Sequence, residues 1–256
     1  MKRSTHRFNV MKFVEKPNLP QNRVKLAAIS SMAGESIKEL NRLGIETVKI
    51  PYNPNLPLPV NSHADLQLLH VGNNNVISQD KHLFMGELQQ KVNLIKIGAE
   101  VGNKYPNDVR LNCAFIGNKL ICNTKTVAYE ILDLAERNAL TVIHVNQGYT
   151  KCSICVVDEN SIITDDESVF TAAGNFFNDV LFVSKGSISL KGYDYGFIGG
   201  CCGKIDKNKI AFNGRIESHT DYNSIIDFLN CHNVECIELN TERLVDIGGI
   251  LPLCEE

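Results

Sequence analysis

The sequence predicts an α/β fold: five ββαβ modules in a pseudo-fivefold ring (an α/β-propeller), closed by the N-terminal strand. Three observations carry this. Four hairpin segments align on their turns, a helix-then-strand pattern recurs between them, and the two chain ends complement each other.

The aligned hairpins are LQLLHV-GNN-NVIS, RLNCAFI-GNK-LICN, CSICVV-DEN-SIIT and CCGKI-DKN-KIAFN. Their turns begin at Gly72, Gly117, Asp158 and Asp206, so the spacings are 45, 41 and 48 residues. Gly-Asn and Asp-x-Asn supply the positive-φ residues that tight hairpins need.

Taken in order, Val24 to Ile29 in NRVKLAAIS reads as a strand like those that follow the turns. It leads into SIKELNRLGIETVKI, where Ile37, Leu40 and Leu43 recur at helical spacing and Val48 and Ile50 belong to a strand. Tyr52 to Pro59, with three prolines, is a stiff loop before the first hairpin, which spans Asn61 to Ser78. KHLFMGELQQKVNLIKI is a weaker helix–strand copy. AYEILDLAERNALTVIHV follows the second hairpin, with Ile131 and Leu134 on the helix and Val142 and Val145 on the strand. ESVFTAAGNFFNDVLFV follows the third, and a loop over 190–196 precedes the fourth. YNSIIDFLNCHNVECIEL then repeats the pattern through Ile225, Leu229, Ile237 and Leu239. Ser78, Thr124, Thr164 and Ser218 or Thr220 are the expected helix N-caps.

The fifth unit runs from about Arg215 to Leu253, and the sequence stops at Cys254-Glu255-Glu256, where another hairpin turn is due. The N-terminal strand supplies the missing half, and closure removes the free sheet edges. Residues 22–256 are read as a single domain. Residues 1–21, with Pro17 and Pro20, are read as a poorly ordered arm.

Composition narrows the function. A net charge of -3 without a long single-sign run argues against nucleic acid or an anionic membrane as partner. No apolar run is long enough for a signal peptide or a membrane span. Nine cysteines without a short repeating framework fit reduced thiols. The expectation is a cytoplasmic monomer or homodimer that takes a small-molecule ligand and no cofactor. No metal cluster, phosphate loop or nucleotide fingerprint stands out.

Five such modules in a closed ring resemble the pentein, or guanidino-group-modifying, superfamily. It includes arginine deiminase, dimethylarginine dimethylaminohydrolase, the amidinotransferases and the non-catalytic translation initiation factor six. The similarity covers about residues 23–254 and looks closest to a short bacterial branch. His63-Ala64-Asp65 matches the family's His-x-Asp motif, here in the first module rather than the third. Gly248-Gly249 matches the start of its Gly-Gly-x-x-Cys motif, but Pro252 holds the cysteine position and Cys254 comes two residues later. The resemblance implies a guanidino or amino-acid-like ligand in the central channel. It also implies hydrolysis of a C–N (amidine) bond, or amidino transfer, by Cys/His/Asp chemistry. The alternative is a binding or assembly protein that keeps the ring and has lost the nucleophile.

Strand alternation gives a second route to the site. One parity carries Asp65 and Gln67, Arg110 and Asn112, Lys151 and Ser153, then Gly199 and Cys201. Two residues earlier the same face carries His63, Asp108, Tyr149 and Asp246. Asp65, Asp108 and Asp246 would hold a cationic guanidinium. Arg110 and Lys151 would hold a carboxylate, so the lining suits a zwitterion. In the other reading these charges neutralise one another in a structural network. Gly248 and Gly249 join the ligand-binding set. Catalytic candidates are His63 as base, Asp65 as its partner, and Cys201 or Cys254 as nucleophile. Cys201 is chosen because its parity faces inward. Cys152 and Cys155 look like a CxxC pair, but three apart on a strand they face opposite sides. They then suit neither a metal nor a disulfide, and Cys152 packs under a helix. The deciding feature is whether a cysteine sulfur stands within a few ångströms of His63 in the channel; if none does, hydrolysis by the family mechanism falls.

Overall fold

In this computed structural model of the protein, residues 11–78, 83–84, 87–98 and 101–256 are described. β1 (Lys12–Phe13), β2 (Val24–Ser30), α1 (Gly34–Arg42) and β3 (Glu46–Ile50) come first. Module one is α2 (Ala64–Gln67), β4 (Leu68–Gly72), β5 (Asn75–Ser78), α3 (Glu87–Lys91) and β6 (Asn93–Ile95). Module two is β7 (Ala114–Ile116), β8 (Lys119–Cys122), α4 (Tyr129–Arg137) and β9 (Thr141–His144). Module three is β10 (Ile154–Asp158), β11 (Ser161–Thr164), α5 (Glu167–Ala173) and β12 (Asp179–Phe182). Module four is β13 (Cys202–Asp206), β14 (Lys209–Phe212), α6 (Tyr222–Cys231) and β15 (Glu235–Glu238), and β16 (Ile250–Glu255) ends the chain.

Each of modules one to four is a small sheet in which an antiparallel hairpin is extended by one parallel strand. The helix carries the chain back to the start of that parallel strand, as a parallel pairing requires. The fifth module is assembled from both ends of the chain. β16 pairs antiparallel with β2, with Ile250 opposite Ile29, and β2 pairs parallel with β3. The ring therefore closes through the N-terminal strand, as the repeat predicts.

The core explains why five units close together. Its five largest apolar clusters lie at the five junctions between modules. Leu69 and Ile77 of module one pack with Leu111, Phe115 and Ile131 of module two. Ile116 and Ile121 pack with Ile154 and Val169 at the next junction. Val157 and Ile163 meet Phe212 and Leu229. Ala211 and Ile205 meet Ile29, Leu40 and Ile250. Leu26, Val48 and Leu251 meet Leu68 and Val76, which returns to module one. Each sheet is thus buried on both faces, one face against each neighbour. Burying such aliphatic side chains contributes roughly 1.5–3 kcal/mol each. A module lifted out of the ring would lose a large share of that.

Three expectations need correction. The loose arm over 1–21 does not hold for 11–21, and residues 1–10 lie outside the described residues. β1 pairs with β16, Val14 and Leu19 are buried, and the Asn18 side-chain amide donates to the Phe115 carbonyl at 3.0 Å. Apolar side chains at 13, 14 and 19 are what a solvated arm would have left exposed. Second, the helix caps lie later than expected. Asp166 caps α5 by accepting from the Ser168 and Val169 amides, while the Thr164 hydroxyl donates to the Ser153 carbonyl instead. Third, the hairpin strands begin later than the alternation assumed. Residues 64–67 are helical, 107–109 and 198–200 are 3-10 turns, and 151–153 form a turn. Strand alternation does not apply across those residues, and this moves a cysteine.

Candidate active site

Five short turns, one per module, crowd around the channel just before the first strand of each hairpin. Backbone and side-chain bonds lace them together. The Asp65 amide donates to the Gly248 carbonyl at 3.1 Å. The Asn112 side-chain carbonyl accepts from the Lys151 and Cys152 amides at 2.7 and 3.3 Å. The Asp246 carboxylate accepts from the Phe197 and Gly248 amides at 2.9 and 3.0 Å. The amides of Ile247 and Gly249 both donate to the Gly200 carbonyl. Two glycines are needed for this closeness. Gly248 has φ of +75°, and a Cβ there would stand 2.4 Å from the His63 Cβ. A Cβ on Gly200 would stand 2.1 Å from Oδ1 of Asp246.

On the strand-start side the turns open into a cavity of about 240 Å³. His63, Tyr149, Cys152 and Asp246 form its floor and inner wall. Tyr193, Asp194, Tyr195 and Phe197, from the loop before module four, form its outer wall. His63, Asp108, Tyr149 and Phe197 each stand nine residues before the turns at Gly72, Gly117, Asp158 and Asp206. The register that aligned the hairpins therefore locates the cavity.

Cys152 is the thiol that lines this cavity. Its Sγ donates to Oδ2 of Asp65 at 2.9 Å and accepts from the Asn112 amide nitrogen at 3.2 Å. Burial pushes its thiol well above the ordinary range, and the charges of Asp65 and Asp246 push it the same way. With no ligand charge nearby the sulfur is therefore a neutral thiol. Nδ1 of His63 lies 3.6 Å from Oδ1 of Asp246, an ion-pair distance rather than a hydrogen bond. Burial raises the Asp246 carboxyl, His63 opposes that rise, and Asp65 adds to it. Tyr149 donates its hydroxyl to Asp108 at 2.5 Å, and burial together with that carboxylate holds the phenol protonated. Oδ1 of Asp65 and Oδ1 of Asp108 are buried without a hydrogen-bond partner. Both stand behind side chains that line the cavity, Cys152 and Tyr149, and a buried unpartnered carboxylate oxygen is costly.

Of the residues expected in the site, His63, Asp65, Asp108, Tyr149 and Asp246 gather here, with Gly248 and Gly249 as their backbone support. The others do not. Cys201 is buried in the junction between modules three and four and donates its thiol to the Ile198 carbonyl. Cys254 lies on β16 among Leu68, Val76 and Phe84, and burial pushes its thiol up to about 12. Gln67 donates to the carbonyls of Pro51 and Asn61, a local brace. Arg110 turns away to Asn107 and the Thr126 carbonyl. Lys151 faces the opposite, hairpin-turn side of the channel, beside Pro252. Strand alternation puts Cys152 on the helix-facing parity, but the strand starts only at Ile154 and residues 151–153 form a turn. No repeat position marks it, since the equivalent residue three after His63 is Leu66, which is buried in an apolar cluster. Among the described residues no group of three or more His, Cys, Asp or Glu is arranged to hold a metal ion. No described helix is long and apolar enough to cross a membrane.

A ring of five such modules with its polar site at the centre is the pentein fold, and solved structures of that class match the chain over most of its length. An inosamine-phosphate amidinotransferase from Streptomyces griseus matches with a TM-score of 0.59 at 12% identity, over 94% of this chain and 97% of its own. DDAH from Pseudomonas aeruginosa, solved with citrulline, matches with a TM-score of 0.55 at 10% identity, over 86% and 93%. Agmatine deiminase from C. jejuni matches with a TM-score of 0.54 at 9% identity, over 88% and 91%. Within that class, residues 28–251 match the family described as DUF6873, a family of unknown function, and the chain belongs to it. No curated protein matches the sequence.

Proposed function

We propose that the protein binds a small guanidino compound in the strand-start cavity and cleaves one of its C–N bonds through Cys152. The observation that carries this is one buried thiol hydrogen-bonded to Asp65 at the wall of a cavity of ligand size that His63 and Asp246 also line, with unpartnered oxygens of Asp65 and Asp108 buried behind that wall. Three structural neighbours named for amidinotransferase, DDAH and agmatine deiminase support the same chemistry on the same fold.

The guanidinium would sit with its N–H groups against Asp65 and Asp246, the planar carbon over Sγ of Cys152. Its positive charge offsets the two carboxylates that hold the thiol neutral, so ligand binding itself favours the thiolate. The thiol proton passes to Asp65, Sγ forms a bond to the guanidinium carbon, and the departing amine takes a proton from His63 as the C–N bond breaks. Water then gives one proton to His63 as its oxygen bonds to the carbon, the C–S bond breaks, the sulfur takes back the proton that Asp65 holds, and the water's second proton leaves with the released amine as a ureido carbonyl forms. An amine in place of that water would make the reaction amidino transfer. Asn112 holds Cys152 by backbone and sulfur together and is a positioning residue.

The test is incubation with agmatine, arginine, dimethylarginine and simple alkylguanidines. Released amine or ammonia is measured, and a covalent adduct on Cys152 is sought by mass spectrometry. Turnover or adduct that vanishes in Cys152→Ser supports the reading. Thermal stabilisation without either leaves a binding protein. If no guanidino compound stabilises or reacts, the proposal is wrong.

A further inference from the structure

The charge in the cavity is one-sided. Among its described lining residues, Asp246 at the floor and Asp194 at the rim are acidic, and His63 is the one basic side chain. Asp65 and Asp108 stand directly behind, each bonded to a lining side chain, and each is only 2% exposed. The two cations that would have received a carboxylate are engaged elsewhere: Arg110 on Asn107 and Thr126, and Lys151 on the hairpin-turn side. Lys185 lies against the Tyr195 ring at 5.7 Å and does not line the cavity. The outer wall is aromatic, with Tyr195 edge-on to Phe197 and Phe197 stacked on Tyr149.

We propose that this site, on the guanidino reading above, takes cationic guanidines whose tail ends in an amine and excludes those whose tail ends in a carboxylate, with Asp194 determining that specificity. A guanidinium held at the floor points its tail along the aromatic wall toward Asp194. A terminal ammonium there meets a carboxylate and the negative faces of tyrosine rings. A terminal carboxylate meets like charge and finds no lysine or arginine among the described lining residues to pair with. It loses its hydration without replacement, which is how a site rejects a ligand.

Three probes of similar length separate the tail from the head group: 4-aminobutylguanidine, butylguanidine and 4-guanidinobutanoate. Binding is measured by calorimetry on the full chain, alongside turnover. The expected ranking is amine, then neutral tail, then carboxylate, with roughly tenfold or more between the extremes. Asp194→Asn should narrow the gap, and Asp194→Lys should invert it. Equal binding of amine and carboxylate, or a preference for the carboxylate, overturns the selectivity. An unchanged ranking in both variants overturns the role of Asp194. If none of the three binds, the guanidino reading itself falls, an outcome distinct from wrong tail preference.

Discussion

The two sides of the channel are made from the same five repeats and end differently. On the strand-start side a cavity of about 240 Å³ exposes Cys152 and His63 to a ligand. On the hairpin-turn side the remaining space is about 10 Å³, walled by Leu68, Leu69, Leu251, Pro252 and Asn18, with Asp65, His70 and Lys151 as its charged or titratable neighbours. That is room for about one water molecule. Two causes produce the difference. Within each repeat the residues before the strand are polar and those along it are apolar. In addition, the N-terminal segment crosses the turn side as a strap. The Asn73 amide donates to the Val14 carbonyl, Asn18 bonds Phe115, and Lys16 pairs with Glu159 at 2.8 Å. A Cβ on Gly72 would stand 2.8 Å from the Glu15 carbonyl oxygen, so the strap lies hard against the first turn. A closed back and an open front let one thiol be reached from one direction, which is what a water-controlled site requires.

The comparison can be broken at several points. The largest effect is expected at the open side: Cys152→Ser should lower turnover by about a thousandfold or more. Serine at Cys201 or Cys254 should leave turnover near the parent level, and comparable losses at all three would remove Cys152 from its role. At the closed side, Leu19→Ala should cost roughly 2–5 kcal/mol in denaturant unfolding, because Leu19 is 5% exposed and packs with Ile116, Ile154 and Phe177. Turnover should be kept, since the strap carries no reacting group. A cost below about 0.5 kcal/mol would mean that the strap is not part of the core.

Gly248→Ala acts between the two sides. The positive φ and the clash with His63 predict a stability cost of about 1–3 kcal/mol. A fall in kcat should accompany it as His63 moves, and unchanged kcat would show that the position of His63 is not critical.

A pH-dependent effect concerns Asp165, behind the module-four turn. Its Oδ2 accepts from the Ile198 amide at 2.9 Å, and burial raises its carboxyl from 3.8 to about 7. The folded state therefore binds a proton that the unfolded state releases, so stability falls as pH rises from about 4 to about 7 and is flat above. Asp165→Asn keeps the acceptor and removes the charge. The variant should lose that slope and be the more stable protein at pH 8. A slope that survives the substitution would assign it to another group.

Much of this was legible in the sequence. The turns at Gly72, Gly117, Asp158 and Asp206 need residues that tolerate positive φ, which is a local requirement and so leaves a local signature. The same register carried His63, Asp108, Tyr149 and Asp246 to one face without any long-range information. The closing strand was readable because β2 resembles the other post-turn strands. Cys152 was not readable by alternation, because a backbone turn over 151–153 breaks the period of two on which that argument depends. The directions of Arg110 and Lys151 were not readable either. A long cationic side chain goes where carbonyls and carboxylates from other modules accept it, and those partners exist only after the ring closes.

The sequence by itself determined the module, its count and its closure, since each rests on a local pattern that recurs along the chain, the N-terminal strand included. Only the tertiary structure decided which thiol meets His63 and Asp65, and that the N-terminal segment seals the far side. Those are contacts between modules, set by how five inner turns pack about one axis, and no single repeat contains them.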